Sequence, residues 1–229
     1  MKKDDNPHAG HRKRLRDRFL KSGLEGFHDY EVVELLLTYA IPRRDVKPIA
    51  KKLITRFGGL KGVFDATSTE LSSIEGVGEN AAILVSLIKA ASAEYLKERA
   101  MKKDVLRSPK DVLDYLKIIL SGEKLEKFLA IYLNAKNEIL SIETLQEGTI
   151  DQTAVYPRKA MERALRHNAK SVIFVHNHPS GDATPSKSDK ELTRNLNSAA
   201  KTMDIIVHDH IIIGRNTHVS CKELGWLEG

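Results

Sequence analysis

The run Ser-Val-Ile-Phe-Val at 171–175 constrains this 229-residue chain more than any other feature. It is short, β-branched and aromatic, and it leads straight into the polar stretch HNHPSGDATPSKSD at 176–189, so it reads as a buried strand ending in a turn. A second apolar run, IIVHDHIIIG at 205–214, stands beyond a segment from Ser186 to Met203. In that segment Leu192, Leu196, Ala199 and Met203 share one helical face. Upstream, Ser108-Pro109-Lys110-Asp111 opens a helix carrying Val112, Leu113, Leu116 and Leu120. KFLAIYLNAKNEILSIETL then gives two strands about a turn at Asn134 to Asn137, and Pro157 starts a helix that runs to Leu165. The order α-β-β-α-β-α-β predicts a compact α/β sandwich of about 120 residues, an ordinary domain size.

The first hundred residues have a different texture. Val33, Leu36, Leu37 and Ala40 fall at helical spacing before Pro42, and Ile49, Leu53 and Ile54 precede a glycine stop at Phe57-Gly58-Gly59. Gly76-Val77-Gly78 then separates Leu71 and Ile74 from an apolar helix beginning near Asn80. That spacing resembles a helix-hairpin-helix, whose second helix can offer unpaired N–H groups and a positive dipole end to a DNA phosphate. Glu75 and Glu79 flank the turn and would oppose such a phosphate. The charged stretch from Lys97 to Asp104 is the expected linker, giving a helical module at 1–103 and an α/β domain at 104–229.

Charge follows the same division. Residues 1–103 hold 20 Lys+Arg against 14 Asp+Glu, and residues 104–229 hold 17 of each, so the net +6 lies wholly in the first module. An anionic partner such as DNA would dock there. The longest apolar runs, such as 172–175 and 211–213, are far too short to span a bilayer, and the basic N-terminus lacks the apolar stretch of a signal peptide. A cytoplasmic protein is expected. Cys221 is the one cysteine, which excludes an internal disulfide and a thiolate-rich zinc cage. A metal in this chain must be held by histidines and carboxylates.

His176 and His178 meet that requirement. Two strand steps apart, they share one face with Cα atoms about 6.6 Å from each other, and they lie past the carboxyl end of an apolar strand, where open α/β sheets place ligands. Asp189 on the following helix could return to add a carboxylate, the two-histidine, one-carboxylate set of hydrolytic zinc sites. The same letters allow another reading, because Ser186-x-x-Asp189 has the spacing of a helix capping box. Ser108-x-x-Asp111 repeats that spacing with no histidine nearby, so the Ser-x-x-Asp pattern alone says nothing about metal.

His-x-His-Pro, the seven residues between His178 and Ser186, and Ser-x-x-Asp together resemble the JAMM/MPN metalloprotease domain. The strings HNHPSGDATPS, EGTIDQTAVYPR and DHIIIG, with the Gly-Val-Gly hairpin upstream, resemble the bacterial RadC family in particular. The likeness covers nearly the whole chain. It implies a mixed-sheet, cytidine-deaminase-like MPN sandwich preceded by an all-α helix-hairpin-helix module. It further implies Zn²⁺ held by His176, His178 and Asp189, with Glu126 as general base and the Ser186 hydroxyl as hydrogen-bond donor to the oxyanion. Glu123 is the alternative base, with Glu143 and Glu147 behind it. The substrate class implied is a protein or peptide amide bond; the family's traditional label implies a DNA-repair role.

The sequence departs from the family at Tyr156-Pro157-Arg158-Lys159, where His-Pro-Arg-Glu is usual, and neither changed position is an expected ligand. His208 and His210 share one face of the last strand under strict alternation and form a rival ligand pair, for which a core or supporting role is the better reading. A zinc nuclease is a further possibility and would need Arg158, Lys187 and Lys190 around the metal to hold a phosphate.

Overall fold

The structure is a computed structural model that describes residues 9–101, 103–107, 109–148 and 155–227. The chain divides into two compact units, 1–91 and 92–229. The boundary falls inside a helix rather than in the charged stretch expected as a linker. Lys97, Glu98, Arg99, Ala100 and Met101 are strong helix formers with no glycine or proline among them, so the helix simply continues to Met101.

The first unit is helical: α1 (Ala9–Ser22), α2 (Asp29–Ala40), α3 (Lys47–Phe57), α4 (Leu60–Asp65), α5 (Ser68–Ser72) and the start of α6 (Glu79–Met101). Val33, Leu37, Ile49, Leu53, Val63, Leu71 and Val85 form its core. The hairpin of Gly76-Val77-Gly78 drives Val77 into that core. Gly76 is the position that demands glycine, because its φ is +93° and a Cβ there would lie 2.9 Å from Ile49 Cδ1. Glu75 is engaged by Lys52 at 2.8 Å.

The second unit contains α7 (Pro109–Leu120), β1 (Glu126–Leu133), β2 (Ile139–Gly148), α8 (Pro157–Arg166), β3 (Ser171–Asn177), α9 (Lys187–Lys201), β4 (Ile206–Ile213) and β5 (His218–Ser220). The seven elements expected from the sequence are present in order, and β5 is an addition too short to leave a periodic signal. Ser108 and residues 149–154, part of two of the quoted stretches, lie outside the described residues. The sheet order is β2-β1-β3-β4-β5, with β3 parallel to β4 and the other neighbours antiparallel.

Both faces of this mixed sheet are covered. Ile131, Leu133, Ile173 and Val175 pack with α7 residues Val112, Leu116 and Leu120, while Ala130, Tyr132, Val172 and Phe174 pack with Ala160, Met161, Leu196 and Ala200 of α8 and α9. Every residue of β3 is therefore buried, which is why it reads as an unbroken apolar run. Among the described residues no helix is long and apolar enough to cross a membrane.

One expectation about β4 fails. The β3–β4 register shifts between Val172, opposite Val207, and Ile173, opposite Asp209, so His208 is an extra residue in a bulge. The bulge reverses the alternation, and His208 and His210 no longer share a face. His208 Nε2 meets Asn137 Oδ1 at 3.1 Å, whereas His210 is fully buried against His176.

Candidate metal centre

β3 ends as its alternation brings His176 inward, and the chain turns through His178 before α9 begins. The His178 N–H bonds to Ile213 O at 3.0 Å, and the loop doubles back so that its Nδ1 meets Asp182 O at 2.8 Å. The fold of this loop depends on a close approach: Gly181 O accepts from Arg215 N at 2.9 Å, and a Cβ on Gly214 would lie only 2.6 Å from that same oxygen. At the other end of the loop, Ser186 caps α9. Its hydroxyl accepts from Asp189 N at 3.1 Å, and Asp189 Oδ2 accepts from Ser186 N at 2.7 Å. The capping box proposed from spacing is thus present, and it is also what orients Asp189.

Among the described residues, His176, His178 and Asp189 form a group whose donor atoms could hold one metal ion. His176 Nε2 is 3.0 Å from His178 Nε2 and 3.2 Å from Asp189 Oδ1, and His178 Nε2 is 3.5 Å from Asp189 Oδ2. A tetrahedral zinc with bonds of about 2.0–2.1 Å has ligand–ligand edges of about 3.3–3.4 Å. The two separations from His176 Nε2 lie just under that value, the contact of His178 is to the other oxygen of the same carboxylate, and the donor set is one that zinc prefers, so the residues fit the ion.

Electrostatics favour a cation as well. Burial alone would raise the Asp189 carboxyl, but hydrogen bonds from His176, His178 and Ser186 outweigh it and hold the group well below the ordinary carboxylate range. The hydrogen bond to Asp189 raises His178 above the ordinary imidazole value despite its burial, and the charge of Glu126 adds to this. Phe128 stacks on the His176 ring with centroids 5.8 Å apart, so that ring has little freedom to turn.

Beside the group lies a cavity of about 670 Å³, lined by Glu126, Phe128, Gln146, His178, Ser186, Asp189, Glu191 and Leu192 among others. Of the four glutamates weighed as base, Glu126 is the one on this lining. Glu123 pairs with Lys127 at 3.0 Å and Glu143 with Arg163 at 3.0 Å; Glu147 stands 3.5 Å from Lys127. Asn177 holds Glu126 in register from both sides, its Oδ1 accepting from Lys127 N at 2.8 Å and its Nδ2 donating to Leu125 O at 3.1 Å. The Ser186 hydroxyl donates to Asp189 Oδ2 at 2.7 Å, so its proton is committed to the ligand carboxylate. Tyr156 and Lys159, the two departures, sit at the start of α8, with the Lys159 amine 5.7 Å from the Tyr156 ring.

Thr193 and Phe128 went unremarked in the sequence. Thr193 stands four residues after Asp189, one helical turn along the same face, and that spacing was the available signal.

A mixed five-stranded sheet whose inner strand delivers a His-x-His pair to a helix-borne aspartate defines an α/β domain of the JAB/MPN class. Residues 106–226 match the family described as the RadC-like JAB domain, and residues 8–83 match the one described as the UPF0758 N-terminal domain. A UPF0758 protein of Fusobacterium nucleatum is 41% identical over 232 residues, covering 98% of this chain and 99% of that one. The chain belongs to the RadC-like JAB domain family.

Proposed function

We propose that the chain is a zinc-dependent hydrolase of amide bonds, a metallopeptidase or isopeptidase. The observation that carries this reading is the convergence of His176, His178 and Asp189, whose donor atoms lie within 4.8 Å of one another, beside a cavity that Glu126 lines. His176, His178 and Asp189 would hold the ion. Bound there, Zn²⁺ supplies a Lewis acid that polarises a carbonyl and lowers the pKa of water from 15.7 toward about 7. Glu126 accepts a proton from the attacking water and passes it to the leaving amine, the usual two-way duty of a carboxylate base. Ser186 offers its hydroxyl to the oxyanion after turning from Asp189, an interaction of about 3 kcal/mol in comparable sites.

The cavity favours amide over phosphodiester chemistry. Its described lining contains Glu126, Asp189 and Glu191 and no lysine or arginine. Lys190 instead lies 5.3 Å from the Trp226 ring, and Arg158 lies 5.8 Å from that of Tyr156. A phosphate would meet three carboxylates there.

Glu126→Gln provides the test. With zinc-loaded full-length chain and denatured casein as probe, the variant should retain its metal and lose hydrolysis by at least 100-fold. Full activity in the variant would remove Glu126 from the mechanism.

A further inference from the structure

We propose that His210 and Thr193 form a positioning relay behind the metal ligands, one that locks His176 in the Nδ1–H tautomer and leaves its Nε2 lone pair facing the ion. The inference rests on the metal-binding reading and deepens it by assigning two residues that ligand spacing does not pick out.

The proton order can be followed from one end. Thr193 Oγ1 lies 2.6 Å from the backbone oxygen of Asp189. A carbonyl has no hydrogen to give, and two oxygens that close require one between them, so the single hydroxyl proton of Thr193 belongs to this bond. Thr193 Oγ1 can then only accept from His210 Nδ1, also 2.6 Å away, which places a proton on that nitrogen. His210 is fully buried beside Phe128, whose ring centroid is 5.3 Å away, and its two ring nitrogens face Thr193 and His176 rather than a carboxylate. An unpaired imidazolium is costly in such a place, so His210 carries this one proton and its Nε2 is bare.

Facing that bare nitrogen at 2.8 Å is His176 Nδ1, which must be the donor. The remaining nitrogen of His176, Nε2, is the atom 3.2 Å from Asp189 Oδ1. His178 reaches the same state by a shorter route, because its Nδ1 faces the Asp182 carbonyl. The relay runs from β3 through β4 to α9 and ends on the backbone of Asp189, so it ties two ligands to one another through groups that never touch the ion. A metal-bound imidazole normally gives its second N–H to such a partner, and loss of that partner costs about 10–100-fold in affinity.

The test uses the full-length chain with ¹⁵N-labelled histidine, first without metal and then with one equivalent of zinc. His176 and His210 should both carry a proton on Nδ1 in the metal-free protein, and with zinc bound His176 should be the Nδ1–H tautomer. His210→Gln, whose carboxamide can accept from His176 and donate to Thr193 in the same order, should hold zinc within about threefold of the parent. His210→Leu, of similar bulk, should lose about 10–100-fold in chelator competition and show His176 as a mixture of tautomers. A His176 without a proton on Nδ1, or a His210 with its proton on Nε2, would overturn the relay, and so would unchanged zinc affinity in the leucine variant. Equal losses in two folded variants would reduce His210 to packing and overturn it too. If the parent takes up no zinc, the metal-binding reading fails, while the metal-free tautomer measurement still decides the relay.

Discussion

Asp189 does two jobs with one carboxylate. Oδ2 closes the capping box of α9, and Oδ1 approaches His176 Nε2. Cap and ligand looked like rival readings of Ser186-x-x-Asp189, yet at the level of atoms they are compatible, since a carboxylate has lone pairs for both. The two histidines were legible because strand alternation is a local rule. Asn177, between them, carries no comparable signal. Its real task, bridging the backbone on either side of Glu126, involves residues fifty positions away and could not be read from neighbours in the chain. Asn177→Ala would strand the Lys127 N–H and the Leu125 carbonyl at a cost of about 1–3 kcal/mol, and would loosen Glu126 without touching a metal ligand. The expected result is zinc uptake near that of the parent with hydrolysis reduced about tenfold or more. Equal loss of both would mean that Asn177 acts through the fold of the whole site.

At the scale of elements, sequence reasoning succeeded where periodicity is set by burial and failed where it is set by a partner. β3 is apolar throughout because both its faces are covered, and α9 buries Leu196 and half-buries Leu192 and Ala199 of its stripe, while Met203 lies beyond the end of the helix and is exposed. The bulge at His208 is a property of the β3–β4 register, and no pattern within IIVHDHIIIG announces it. That single extra residue sends His208 toward Asn137 and His210 toward His176, turning an apparent ligand pair into two unrelated side chains. The 178–186 loop is held by a different device, the close passage of Gly214 under the Gly181 carbonyl. Gly214→Ala would place a methyl 2.6 Å from that oxygen and 3.0 Å from Ala183 N, so the loop must move. Because Asp182 in the same loop orients His178, the variant is expected to lose zinc affinity by about tenfold or more and to melt several degrees lower, roughly 1–3 kcal/mol. Parent-like affinity from the same chelator competition would show that the loop carries no part of the site.

For the molecule as a whole, the change of texture from helical periodicity to short apolar runs suggests two modules; the family matches cover 8–83 and 106–226. The boundary itself was hidden, because charged residues that suit a linker suit a helix equally well. The cavity was hidden for another reason: it is lined by the start of β1, the end of β2, the loop after β3 and one face of α9, segments brought together only by the sheet order. What sequence did convey was three candidate ligands, two histidines and an aspartate, at a spacing that few folds require. The central claim is that His176, His178 and Asp189 bind one zinc, and direct titration of the metal-free full-length chain against a chromophoric chelator measures it. One zinc per chain is expected for the parent, with none retained by His178→Ala or Asp189→Ala in variants whose circular dichroism is unchanged. A parent that takes up no zinc, or variants that bind it as tightly as the parent, would contradict the account.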